Sequence, residues 1–549
     1  MLICFFRDNR EVKASGTLGL IVVLIISSVF VLKTFGLDFI IGTGSYWQTQ
    51  VDDVTQYIAG FNMYISSPWQ LPLLYFDKVN FPEGTIVTFV DAIPLYSFFL
   101  KLILPSSIVP FNPFGYWIAL CFIMQGVGAW CVTRVLKIDS WSFLLCMTIF
   151  FILSPSLMAR LGHISLMSHW LILFSFALYI YSYKNKSLKF IYWTVLITSS
   201  FYINIYIFVM VCGIYLASLL SFVNSGSIKK ELYKFVFSFV ILFITSTMMV
   251  FPLPPGDVTK EWGFGYYSMN ILSPFLGGRL FSIQADVAPG QYEGFNYLGL
   301  GLIIAFVLSF LIIKSHKYRQ IKKHIYLALL MVLYSTYALS DQIYFGSQKV
   351  LILSYPGILD GLTSQFRASG RFFWPVGYGL AIASMLIIYR EYKKYYFIAF
   401  CFVLVSLQVL DLRDIYRVMI DTSRRAFVAK LDYTLWDSVI HEGGEYLYYY
   451  PKFKCGRNPH ETLLPVMRYA AERNLKLNTG YVARYTPSCT SVERDIKESD
   501  KNSAVFIFSK LDYPELDRVN ELFVNIDGIH CDDVQFSYIC QIHEMKNEK

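Results

Sequence analysis

Long apolar runs alternate with short polar or Gly/Pro-rich segments through the first 411 residues, and the pattern then stops. A helix needs about 20 mostly apolar residues to cross the hydrocarbon of a bilayer, because lipid cannot satisfy bare backbone groups. Eleven stretches meet that need, beginning near Leu18, Tyr116, Trp141, Ser168, Phe190, Ile207, Phe235, Phe295, Ile325, Phe372 and Phe397. The run from Leu188 to Val223 is broken only at Ser199 to Asn204, and we read it as two helices. A further apolar stretch, Ile86 to Leu104, contains Asp91 and Pro94, which suits a re-entrant or interfacial segment. Beyond Asp411 the periodicity becomes that of a soluble domain. Glu445 to Tyr450 and Ala504 to Ser509 read as strands, Glu461 to Arg473 and Pro514 to Leu522 as helices. The expectation is an α-helical polytopic membrane protein with about 11 transmembrane helices over residues 1–411, joined to a small soluble α/β domain over 412–549.

Charge sharpens this division. The chain is 16% charged and 55% hydrophobic, which excludes a soluble multi-domain protein. Residues 1–411 hold 28 Lys+Arg and 18 Asp+Glu, a net charge of +10; residues 412–549 hold 19 and 21, a net charge of −2. With eleven spans, 19 of those 28 basic residues and only 5 of the 18 acids fall on the side of the N-terminus. The positive-inside rule makes that side the cytoplasm and places the large loops and the C-terminal domain on the opposite, outer side of the membrane. Arg7, Arg10 and Lys13 precede the first span, but no small-residue cleavage site follows it, so it reads as a retained span. The overall +8 is then topology and no signal for nucleic acid. Cysteine use agrees. The outer loops of the membrane part have none, while Cys455, Cys489, Cys531 and Cys540 give the outer domain an even number, as two disulfides require in an oxidising compartment. Buried free thiols are the alternative.

Scarcity makes the remaining outer charges informative. Asp52 and Asp53 adjoin in VDDVTQY. Paired carboxylates repel, which tunes one of them as a base or prepares the pair for a divalent metal; equally, Asp is favoured at a helix N-terminus. The residues demand no cofactor beyond that open metal alternative. Asp91, in FVDAIPL, is an acid at membrane depth, and so marks either a functional site or an interfacial carboxylate. Arg160, His163 and His169, in ARLGHISLMSHW, form a cationic cluster fit for an anionic head group, or are interfacial side chains. Glu293 lies in an aromatic loop before a span entry, QYEGFNYLGLG, where rings and carboxylates suit a sugar; most of those rings equally suit a membrane aromatic belt. Arg367 and Arg371 stand four apart in QFRASGRFFWP, against the positive-inside trend. A helical turn there offers two forked donors to a phosphate, the alternative being a salt bridge to an acid such as Asp360.

The order VDDVTQYIAGF, PWQLPL, FVDAIPLYSFFLKLILP, PFGYWIALCFIMQGVGAW, RLGHISLMSHWLIL, GFNYLGLGLI and FRASGRFFWPV resembles bacterial polytopic membrane proteins of GT-C glycosyltransferase type, over roughly residues 38 to 380. In length and layout the chain is also similar to the serotype-converting glucosyltransferases that decorate O-antigen lipopolysaccharide. The resemblance implies a sugar donor, such as glucose, carried on a polyprenyl (undecaprenyl) phosphate. It implies a polysaccharide or lipid-linked oligosaccharide acceptor, a multi-pass protein of the bacterial inner membrane whose active site and C-terminal domain face the periplasm, and a catalytic acid in the first outer loop. Asp53, three residues before Gln56, matches that acid best; Tyr57 stands where relatives often carry His. On this reading Asp53 is the base, with Asp52 and Asp91 next in line. Arg367 and Arg371, with Arg160 or His163, meet the departing phosphate, and Glu293, His169 and Gln56 contact the acceptor or sugar. One displacement inverts the anomeric centre; a nucleophilic Asp91 or Glu293 retains it. A flippase of lipid-linked sugars and a polysaccharide polymerase are the rival readings. The first expects charges within the spans and paired repeats, neither of which is seen.

Overall fold

The structure is a computed structural model that describes residues 14, 16–223, 227–254, 261–313, 323–426, 429–440, 443–524, 526 and 528–542. Cys4, Arg7, Arg10, Lys13, Asp257 and the basic residues from Lys314 to Lys322 lie outside the described residues. Each of the eleven apolar stretches forms a helix. Seven of these are long and apolar enough to cross a membrane: Thr17–Phe35, Phe114–Leu136, Trp141–Met158, Ile164–Lys184, Ile228–Met249, Ser369–Glu391 and Lys394–Asp411. Phe190–Ile203, Ile205–Leu220, Leu300–Ile312 and Ile325–Leu339 are shorter; 14 residues rise only about 21 Å. The break inside the long run falls at Asn204. Its backbone is extended, and its Oδ1 accepts from Tyr206 N at 3.0 Å, capping the second helix. Only Pro94–Ile103 of the Ile86 to Leu104 stretch becomes helix, and ten residues are too few to span.

The chain forms two compact units, each assembled from three segments. The first comprises Met1–Ile40, Tyr116–Leu242 and Glu261–Ser423, and the second Ile41–Gly115, Phe243–Lys260 and Arg424–Lys549. The first holds most of the helices and packs them through small residues, as membrane bundles do. A Cβ on Gly128 would sit 2.7 Å from Leu173 Cδ1, and one on Gly126 would sit 2.3 Å from Ser27 Oγ, so the Phe114–Leu136 helix approaches two neighbours that no larger side chain permits. At the end of the last apolar helix Asp411, fully buried, accepts from Leu280 N, Phe281 N, Leu300 N and the Tyr297 hydroxyl. It ties the 279–281 turn to the entry of the Leu300–Ile312 helix.

Nine strands occur among the described residues: β1 (Tyr75–Phe76), β2 (Thr85–Ile86), β3 (Gln342–Phe345), β4 (Gln348–Ile352), β5 (Tyr446–Tyr450), β6 (Lys476–Leu477), β7 (Ala504–Ser509), β8 (Ile529–Val534) and β9 (Ser537–Ile542). In the second unit five of them make one sheet in the order β6-β5-β7-β9-β8, parallel through β6, β5 and β7 and antiparallel from β7 to β8. β7 is buried along its whole length, which explains its unbroken apolar sequence AVFIFS. Phe506, Phe508, Val519 and Cys540 form the core on one face. Disulfides join Cys455 to Cys489 and Cys531 to Cys540. The first long loop extends this sheet. Val79 bridges Leu477 in parallel, Leu477 N donates to Lys78 O at 2.8 Å and Phe81 N donates to Leu477 O at 3.0 Å.

Candidate functional site

In the second unit, the acid pair opens the Asp53–Ser66 helix. Asp52 occupies the N-cap position with extended backbone, yet its side chain makes no capping hydrogen bond; the Thr49 hydroxyl approaches its Oδ2 at 3.4 Å. Asp52 is exposed and Asp53 half-buried, whereas every residue from Val54 to Ile65 is buried. Gln56, 2% exposed, follows one turn later and donates from Nε2 to Tyr481 O at 2.7 Å. Asp91 is exposed at a left-handed position (φ 55°), and Ile93 follows at φ 51°. A β-branched residue in that conformation is a true outlier, and such strain collects at functional turns. The turn is held against the acid-bearing helix at Gly60, where a Cβ would meet Val90 Cγ2 at 2.6 Å.

In the first unit, the cationic segments converge on one carboxylate. Arg160 forms an ion pair with Glu293 and donates through Nη2 to Glu293 O at 2.9 Å. Arg371 donates to Glu293 Oε2 from Nε at 3.1 Å and from Nη2 at 2.9 Å, and His163 Nε2 stands 3.5 Å from Oε1. Side-chain exposure grades these groups: 2% for Arg160, 6% for Glu293, 12% for Arg371 and 35% for His163. Burial raises the pKa of Glu293, and Arg371, Arg160 and His163 lower it. The cations prevail and hold the carboxyl well below the usual carboxylate range. Two guanidinium groups on one carboxylate leave a net positive charge even with His163 neutral. Rings back the cations: Arg160 lies 5.7 Å from the Trp374 ring centroid and Arg371 lies 4.8 Å from that of Tyr206. Beside them a cavity is lined by Ser154, Asn296, Trp374 and Tyr378 with Phe150 and Phe151. Trp374 Nε1 is buried and has no hydrogen-bond partner among the described residues.

Not all the expected residues meet. Arg371 is in a 3₁₀ turn, Ser369–Phe373, and pairs with Glu293 rather than Asp360. Arg367 precedes that turn and donates to Trp262 O at 3.0 Å. His169 is fully buried, its ring centroid 4.1 Å from that of Trp374 with the planes tilted by 36°, and its Nδ1 lies 2.9 Å from the Tyr378 hydroxyl. Among the described residues no three of His, Cys, Asp and Glu gather as a metal site. Arg468 and His460, which pattern reading passed over, both bond to the backbone beside Asp52. The signal for Arg468 is faint: a cation on the strongly amphipathic helix Leu463–Glu472.

No curated protein matches the chain. Among solved structures, the cryo-EM structure of arabinofuranosyltransferase AftD from Mycobacteria aligns over 96% of this chain with a TM-score of 0.50 and 12% identity. This chain spans 40% of that protein's length. The likeness shows the fold, a GT-C-like multi-pass helical membrane protein with a small C-terminal sheet domain. Residues 435–541 match the model described as the DUF6311 C-terminal domain, and residues 24–413 match the one described as Domain of unknown function (DUF6311); the chain belongs to that family.

Proposed function

We propose that this protein is a membrane glycosyltransferase that moves a sugar from a polyprenyl-phosphate donor to a polysaccharide or lipid-linked oligosaccharide on the periplasmic face. One observation carries the reading: a GT-C-like fold whose first long loop presents an accessible pair of carboxylates, Asp52 and Asp53, at the mouth of an otherwise buried helix. Asp53 takes the proton of the acceptor hydroxyl as it attacks the anomeric carbon. As that bond forms, the bond to the phosphate oxygen breaks and negative charge collects on the departing lipid phosphate, which cations stabilise. Arg371, His163 and Arg367 are the cations we assign, with Arg160 as the buried anchor of the cluster. Glu293 is already neutralised by two guanidinium groups, which makes it a poor nucleophile and supports one displacement with inversion. The sugar we propose is a hexose, glucose first, on the resemblance to serotype-converting enzymes; the arabinofuranosyltransferase likeness makes an arabinofuranosyl donor the second to try.

The test compares composition and linkage of the surface polysaccharide in a host with and without the chain, then with Asp53→Ala. Loss of one sugar on deletion, unrestored by Asp53→Ala at normal membrane level, is the expected result. An unchanged polysaccharide on deletion overturns the activity, and full restoration by Asp53→Ala overturns the base.

A further inference from the structure

The backbone around the acid pair is gripped by groups that lie about 380 to 425 residues away in the chain. Trp47 lies in a short 3₁₀ turn, Ser45–Gln48, and Thr49 to Val51 lead from it into the helix that Asp53 opens, Thr49 O also accepting from the Thr55 hydroxyl at 3.0 Å. Arg468 Nη1 donates to Trp47 O at 2.7 Å and to Thr49 O at 2.5 Å. His460 Nδ1 donates to Val51 O at 3.1 Å, because a carbonyl only accepts. Between these, Gln50 Oε1 accepts from Lys430 N at 2.7 Å and Leu431 N at 2.8 Å. The two clamping side chains are themselves aimed. Glu472 holds Arg468 Nε at 2.8 Å, and the Tyr481 hydroxyl donates to His460 Nε2 at 3.2 Å. None of these bonds uses a carboxylate oxygen of Asp52 or Asp53. The same stretch that receives Gln56 at Tyr481 O also reaches the turn that carries Asp91: Ala483 N donates to Phe89 O at 2.8 Å, two residues before that acid.

We propose that Arg468 and His460 are positioning residues, and that the C-terminal region thereby sets the aim of the Asp52–Asp53 carboxylates. The inference rests on the reading of Asp53 as the base. A charged guanidinium at 14% side-chain exposure, paired with Glu472 through Nε and given to two carbonyls through Nη1, restrains this turn more than a neutral donor would. It is what a base needs if its oxygen is to stay within about 0.5 Å of its working place. Holding the neighbouring carbonyls fixes the turn from which both aspartates project without spending the Arg468 and His460 donors on their carboxylate oxygens.

The test uses the full-length chain in its membrane, with hydrogen exchange of peptides covering residues 47–56 and 504–509 and with the rate of polysaccharide modification in a host lacking the native chain. Arg468→Gln is expected to speed exchange at 47–56 about tenfold, as the loss of a charged donor does, while β7 at 504–509 stays protected. The modification rate is expected to fall about 10- to 100-fold at unchanged membrane level. His460→Ala is expected to act in the same direction, and His460→Asn, which keeps an N–H near the Nδ1 position, to restore most of the rate. Unchanged exchange at 47–56 in both Arg468→Gln and His460→Ala overturns the inference. So does a full modification rate in these variants when Asp53→Ala is inactive. Should Arg468→Gln expose 504–509 as well, the contrast between His460→Ala and His460→Asn decides. An active Asp53→Ala overturns the base assignment instead, and the exchange result still reports whether the turn is held.

Discussion

Arg371 reaches Glu293 Oε2 with two nitrogens, at 3.1 and 2.9 Å, and that oxygen is also the one to which Arg160 pairs. One carboxylate thus compensates two guanidinium groups that are almost wholly withdrawn from water. Breaking a buried pair by removing one partner costs about 3–5 kcal/mol, because the other charge is left uncompensated. Glu293→Ala leaves two such charges and is expected to lower the melting temperature of the detergent-solubilised chain strongly. Glu293→Gln keeps the shape and one acceptor oxygen and is expected to lower it less. Equal melting of both variants and the native chain would refute a structural role for the cluster.

The same cluster fixes a pH dependence. The folded pKa of Glu293 lies below its ordinary value of 4.5. The unfolded chain therefore takes up a proton near that pH while the folded cluster does not. Stability from this group is fully present above about pH 4.5 and declines as the pH falls further, toward the folded value. Melting temperatures of the native chain and of Glu293→Gln, followed from about pH 6 to pH 3, are expected to converge as the pH falls. Parallel curves would show that the cations do not hold this carboxyl.

Much of the helical body was legible because long apolar runs have few alternatives to a helix, and Asn204 even marks the break between two of them. The β5 and β7 strands were legible for a different reason, as short runs of aromatic and β-branched residues, YLYYY and AVFIFS, bounded by polar segments. Glu293 was recognised as unusual, but not as the partner of Arg160 and Arg371, since which charges meet depends on packing between loops 78 to 133 residues apart. The grip on the acid pair was illegible on principle. Its acceptors are backbone carbonyls, which every residue carries, and no side-chain pattern announces them. Asp411 was visible only as the last residue of an apolar run; four donors converging on it required the fold.

The two disulfides differ in the chain they close. Cys455 and Cys489 are 34 residues apart, Cys531 and Cys540 only 9. By loop-closure entropy these correspond to about 3.8 and about 2.6 kcal/mol of stabilisation, respectively. Replacing Cys455 and Cys489 together by Ser is expected to destabilise the second unit more than replacing Cys531 and Cys540, read as loss of exchange protection over β5 and β7. The reverse order would mean that the short link restrains something other than chain entropy.

Asp411 gives the most local prediction. Oδ1 accepts the backbone N–H groups of Leu280 and Phe281, and Oδ2 accepts Leu300 N and the Tyr297 hydroxyl at 2.6 Å. Turned one way, an amide in its place presents N–H groups to Leu280 N and Phe281 N; turned the other, it presents one to Leu300 N, while the Tyr297 hydroxyl accepts the second and donates to Phe281 O. Hydrogen bonds to a charged acceptor contribute about 1.5–3 kcal/mol each, so Asp411→Asn loses at least one of them and weakens the rest. The first element to loosen is the turn it holds, which carries Arg279, half-exposed at 44% of its side chain. Trypsin is expected to cut after Arg279 much faster in Asp411→Asn than in the native chain, with other sites unaffected. Cleavage there at the native rate would mean that the turn is held by Arg279 N and its neighbours rather than by the carboxylate.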